Sequence, residues 1–360
     1  MRLQYSTAIS ITVFSAILSA TENTRFRHFF PTYSEILTEI RDRSCGELWA
    51  TQQTKSYTTT DGNCPAPLSR ILDETSEAIQ GNFASGLVAL GLMPTILTFL
   101  GSAVSETALL SRRRPLLALM IASGSPAVNP LPTFVYENPL ERLKAIEGRL
   151  LPTKLLALSP WQAGGIILVE YILILGAIVN ILTASYFAGG WTINTISCDD
   201  TWYPIAWVGL TIVLHICGKI ALDQRARTVN TVRFQKLPSK IISYLRYEFS
   251  PCISQDRLEM QWTEETYLFI FISWFSSIGT VAHILFGTIA FSSLTFIGYV
   301  DSIKIIGRFM ASAAICRAVL MFELAGLRNA ASRQSLDDTH YLASSIEQGS
   351  FQLQEFRGLP

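Results

Sequence analysis

Glu170, His215 and Arg317 are the residues of this chain with the means to do chemistry, because each lies inside a long apolar stretch. A carboxylate can take up and release a proton, an imidazole can relay one near neutral pH, and a guanidinium fixes the carboxylate it meets. Charge in hydrocarbon is costly, so such residues face one another or a watery path. Glu170 and Arg317 lie roughly 10 to 14 Å inside one boundary of their stretches at the helical rise, with His215 at similar depth. The expectation is a Glu170 to Arg317 pair in the bundle interior, with His215 as competing partner. A relay through Glu170 and His215 would serve a transporter, whereas a fixed pair is a folding device, and the fixed pair is the preferred reading.

Other polar residues in these stretches carry blander expectations. Lys219 and Glu323 lie within about a turn of a boundary, and Lys304 and Arg308 lie near the opposite one, where long side chains snorkel. His283 stands among Gly279, Thr280, Ala282 and Gly287, which points to close helix packing. Asn180, on the same stretch as Glu170, is an interhelical hydrogen-bond donor by type.

No H-E-x-x-H, G-x-S-x-G or G-x-x-x-x-G-K-[ST] pattern occurs, and the four histidines are scattered, so neither an enzyme signature nor a cofactor or metal motif is present. Formal net charge is zero, which removes any global case for nucleic-acid binding. With 49% apolar and 16% charged residues unevenly spread, the composition is that of spans separated by polar loops.

The predicted fold is an all-α membrane protein of about five transmembrane helices, at 83–104, 163–188, 205–222, 267–296 and 302–326. Trp161, Trp191, Trp202, Tyr203, Trp262 and Tyr267 sit at the borders, where amphipathic rings favour the headgroup layer. The loop after the first span holds Arg112, Arg113, Arg114, Arg142, Lys144, Arg149 and Lys154, and the loop after the third is equally basic. Both are expected to be cytoplasmic. The connection 189–204 has no Lys or Arg and carries Asp199 and Asp200, so it is expected outside.

Residues 1–20 carry Arg2 and a short apolar run, the pattern of a signal peptide or signal anchor. Residues 21–80 are then an outer segment, 81–326 the transmembrane domain, and 327–360 a cytoplasmic, mostly disordered tail. Cys45 and Cys64 are the expected disulfide pair of that outer segment, with Cys198 as alternative partner or free thiol. No N-x-[ST] acceptor occurs.

The run 115–128 is apolar but too short to span, and it reads as a re-entrant or interfacial segment, a soluble buried helix, or a half-span that would change the span count. In the second basic loop, 239–249 places Ile241, Ile242, Leu245 and Phe249 on one helical face, which suits contact with anionic lipid at the inner leaflet. The lipid bilayer is the partner the sequence implies.

The string DETSEAIQGNFASGLVALGLMPTILTFLGSAVSETALLSRRRPLLALMIASGSPAVNP at 73–130 and GRFMASAAICRAVLMFELAG at 307–326 carry a resemblance. The chain resembles a family of uncharacterised multipass membrane proteins of filamentous ascomycete fungi from about Cys64 to Arg328. The resemblance implies a signal-led integral membrane architecture and no activity. Function is therefore expected to be a non-enzymatic scaffold or receptor-like role, with a proton- or solute-coupled transporter and a membrane-embedded enzyme as alternatives.

Overall fold

The computed structural model describes residues 26–46, 65–130, 159–196, 200–228, 245–255 and 260–356. Its helices are α1 (Ser34–Ser44), α2 (Pro65–Glu74), α3 (Glu77–Thr98), α4 (Val104–Leu110), α5 (Pro115–Gly124), α6 (Pro160–Gly190), α7 (Tyr203–Arg225), α8 (Tyr267–Ser292) and α9 (Tyr299–Phe356). Five of these, α3, α6, α7, α8 and α9 as far as Arg328, are long and apolar enough to cross a membrane. Each expected span overlaps one of these helices, with ends shifted by a few residues, and the first expected span, 83–104, is interrupted after Thr98.

The helices pack side by side, and their contacts give their directions. Asn180 of α6 donates to the Ser312 hydroxyl of α9 at 2.8 Å, while Thr183, further along α6, accepts from Arg308, earlier in α9, so the pair is antiparallel. Trp207 of α7 stacks on His283 of α8, while Leu214 covers Gly279, so α7 and α8 are antiparallel too. Small ladders tie the two ends of the bundle. β1 (Ile193–Asn194) pairs with β4 (Leu294–Thr295) at one end, and β2 (Ala226–Thr228) pairs with β3 (Met260–Trp262) at the other.

The first ladder lies beneath a cap. Phe26, Phe29, Leu37, Ile40, Cys45 and Ile71 pack with Phe83, Ile193 and Phe296, so the segment 26–46 and α2 sit on this cap end of the bundle. The Thr32 amide donates to Asp301 at 3.0 Å and anchors the cap to the start of α9. The opposite end collects Arg112, Arg113, Arg114, Arg225 and Arg246 and is called the basic end here.

The first span is broken. α3 passes Ser302 at Gly86 and stops at Thr98, about 18 Å further along the axis and roughly half-way down α9. The chain then bends through 99–103 and continues as α4 to the basic end, where it turns at 111–114 and comes back as α5. Ser102 and Val128 form a parallel bridge, so the hairpin closes where it opened. A Cβ on Gly101 would meet the Ala127 carbonyl oxygen at 2.6 Å, which explains glycine there. The expected apolar segment is therefore a half-length helix that enters from the basic end and stops mid-bundle. Non-helical backbone at such depth needs protein around it, and Gly101, Ser102, Ala103, Ser125, Ala127 and Val128 are all buried.

Large apolar side chains ring the outside of the bundle. Val169, Leu175 and Val179 on α6, and Phe271, Trp274, Phe275 and Val281 on α8, are all more than half exposed. In water this would be an aggregation surface, and against lipid it is the solvent-matched one. Trp161 and Tyr267, each 91% exposed, stand at the basic end of that belt.

α9 runs on as helix past Arg328 to Phe356, through a stretch with no proline and no glycine before Gly349, where the sequence predicts a mostly disordered tail. Cys45 is a free, buried thiol, while Cys64, Cys198 and the segment 1–20 lie outside the described residues.

Candidate functional site

Among the described residues, three polar clusters lie along the broken span, and a further one joins Arg308 and Ser312 of α9 to Asn180 and Thr183 of α6. At the basic end, the turn 111–114 delivers Arg114, whose side chain is fully buried and which precedes Pro115 at the first position of α5. Proline suits that position because its missing N–H has no partner to lose. The next two amides, of Leu116 and Leu117, donate to the Glu248 carboxylate at 3.1 and 2.9 Å. A remote carboxylate thus caps a helix whose own N-cap residue supplies no side-chain acceptor, and its charge faces the positive end of the helix dipole. The Tyr171 hydroxyl donates to the same carboxylate at 2.8 Å.

Arg114 draws four segments together. Its Nη1 donates to Glu170 Oε2 on α6 at 2.6 Å and stands 2.9 Å from Glu323 Oε1 on α9. Its Nε donates to the Glu248 carbonyl at 2.9 Å, and Glu323 in turn accepts the Cys252 amide at 3.1 Å. Burial opposes the guanidinium charge, but Glu323 and Glu170 overcome it and hold the Arg114 pKa above its ordinary value. Two carboxylates share this one guanidinium, which leaves one carboxylate in excess. The Cys252 thiol beside them is pushed well up by burial, with Glu323 adding to the shift.

The second cluster is at the break. The Thr107 hydroxyl lies 2.7 Å from His215 Nδ1 and 3.1 Å from the Val104 carbonyl oxygen, and Ser102 Oγ lies 3.4 Å from His215 Nε2. One turn along α7, Thr211 donates to the Pro126 carbonyl at 3.2 Å and accepts from His283 Nε2 at 3.1 Å. The Trp207 carbonyl, 2.8 Å from the same nitrogen, can only accept, which places the His283 proton on Nε2.

The third cluster lies between these two. Arg317 of α9 grips the Glu106 carboxylate of α4 with both terminal nitrogens, Nη2 at 3.2 Å, and Glu106 also accepts the Ala103 amide at 3.0 Å. No family model, curated protein or solved structure matches this chain. Among the described residues no group of three or more His, Cys, Asp and Glu side chains could hold a metal ion.

The expected trio is not one cluster. Glu170 pairs with Arg114, Arg317 pairs with Glu106, and His215 contacts hydroxyls at the break. Helix register gives the reason: Asn180 opposite Ser312 brings Glu170 level with Glu323, about 9 Å along α9 from Arg317. Glu323, expected to snorkel, is fully buried in the hub. Asn180 and His283 play the packing roles expected of them, while Lys219 stays half exposed beside Asp223. Three consecutive arginines at 112–114 read in sequence as a loop charge signal, which conceals the buried role of Arg114. Two acids at matching depths on α6 and α9 are the sequence signal that points to a buried cation between them.

Proposed function

We propose that the chain is a multipass integral membrane protein with a non-enzymatic scaffold or receptor-like role, its cap end outside and its basic end in the cytoplasm. The observation that carries this reading is the Arg114 hub. A guanidinium with no solvent access, tied to α6, α9, the helix α5 and the segment 245–255, supports a bundle held in one arrangement. The cap, packed by aromatic rings onto the ends of the spans, supplies a folded outer surface for a ligand or partner protein. The fungal membrane-protein family that the sequence resembles fits this reading and adds architecture rather than activity.

Transport is the second reading, favoured by the break in the first span. A discontinuous helix and a half-length helix that meet mid-bundle beside a histidine are the parts from which many transporters build a substrate site. Proteoliposomes separate the two. No proton or solute flux, with or without His215→Ala, supports the scaffold or receptor reading, and a flux that disappears in His215→Ala overturns it. A tag after Pro360 that antibodies reach only in permeabilised cells supports the orientation, and a tag reached in intact cells refutes it.

A further inference from the structure

We infer that the helical turn at residues 245–249 is a lipid-sensitive latch on α5, held closed by anionic phospholipid headgroups. The turn has two unlike sides. Leu245 and Phe249, four residues apart and therefore on one face, are 48% and 52% exposed, and Arg246 beside them is exposed as well. Glu248, on the other side, is 1% exposed. That inward carboxylate is the cap of α5, bonded to the Leu116 and Leu117 amides and to the Tyr171 hydroxyl, and its backbone oxygen holds Arg114. Neighbouring rings seat the turn: Phe249 lies 5.9 Å from Tyr171, and the Arg113 guanidinium lies 5.1 Å over Tyr247.

The occupant of the outward side follows from what surrounds it. The exposed Leu245 and Phe249 lie at the basic end, where Trp161 and Tyr267 close the apolar belt, so their face continues the lipid-facing surface into the headgroup layer. Arg246 beside two apolar side chains can meet an anionic headgroup, each basic residue near such a surface adding about 1 kcal/mol of attraction. The position of the turn follows from its two contacts, lipid outside and α5 inside. Anionic headgroups on Arg246 keep Glu248 on the α5 amides. Without them the turn lifts and the first turn of α5 loses its acceptor.

This rests on the reading that the basic end lies in a lipid headgroup layer, and the test separates the two claims. The wild-type chain is placed in nanodiscs of phosphatidylcholine alone or with phosphatidylserine, and hydrogen exchange is followed at the Leu116 and Leu117 amides. The latch predicts about fivefold slower exchange with phosphatidylserine, the factor that one basic residue near an anionic surface contributes. It also predicts that Arg246→Glu removes the difference. Equal exchange in both lipids, with α6 and α8 protected in each, overturns the latch alone. Failure of α6 and α8 to be protected in either nanodisc overturns the membrane reading beneath it. A lipid difference that survives in Arg246→Glu overturns the assignment to this turn.

Discussion

Arg114 Nη1 lies 2.6 Å from Glu170 Oε2, and neither side chain reaches solvent to any useful extent. A buried charge stripped of its partner is among the costliest lesions a fold can carry, about 3–5 kcal/mol when one member of a pair is removed. Arg114→Met is expected to destabilise the bundle by about that much, because it strands Glu170 and Glu323 together. The triple variant Arg114→Met, Glu170→Gln, Glu323→Gln is expected to recover most of the loss. Thermal unfolding in nanodiscs reads both, and an Arg114→Met chain as stable as wild type refutes the hub.

Because two carboxylates share one guanidinium, the hub tolerates the loss of one acid better than the loss of its base. Glu170→Gln or Glu323→Gln alone is expected to cost less than Arg114→Met by at least about 1–2 kcal/mol. If either single glutamine variant unfolds as readily as Arg114→Met, this asymmetry is wrong.

The Glu106 and Arg317 pair is about a quarter exposed, so its contribution is discounted relative to the hub. A double-mutant cycle with Glu106→Gln and Arg317→Gln is expected to give a coupling of roughly 1 kcal/mol. Glu106→Ala should cost more than Glu106→Gln, since it also removes the acceptor of the Ala103 amide. A coupling equal to that of the Arg114 hub contradicts the burial argument.

Helix contacts set a graded series of glycine substitutions. A Cβ on Gly287 would fall 2.3 Å from the Trp207 indole nitrogen, which is fixed by its bond to the His283 carbonyl, whereas Gly176 has nothing within 4 Å. Gly287→Ala is expected to lower stability by about 1–3 kcal/mol, and Gly176→Ala to be neutral or slightly stabilising. Equal melting temperatures for the two variants would falsify the α7 to α8 packing.

The Cys45 and Cys252 thiols are both raised, mainly by burial. A raised thiol binds its proton more tightly in the folded chain than in the unfolded one. Its contribution to stability is therefore complete below the ordinary thiol range near ~8.5 and declines as pH rises through and beyond it. Maleimide labelling of both is expected to be slow at neutral pH and to accelerate on alkaline unfolding. Rapid labelling of Cys252 in the folded chain at neutral pH argues against its buried place beside Glu323.

The five long apolar helices were legible in the chain itself, because span length and apolar content are local properties set by bilayer thickness and backbone hydrogen bonding. The same holds for the half-length of α5, bounded by Pro115 and the Gly124 to Pro126 stretch, and for the packing role of Asn180. The break in the first span was not legible. The residues 99–103 are as apolar and small as their neighbours, and only their contact with 125–128 shows why the helix stops there.

Pairing of the charges was decided by tertiary structure alone. The sequence determined that Glu170, His215 and Arg317 lie within apolar helices and would need partners, since burying an ion is costly wherever it happens. Which partner each found depended on helix register and on a hairpin folding back into the bundle. That hairpin carries Arg114 to Glu170 and Glu106 to Arg317 from positions 56 and 211 residues away. Composition and spacing fix depth along a helix, but they do not fix which faces meet. That choice is made only when the helices pack.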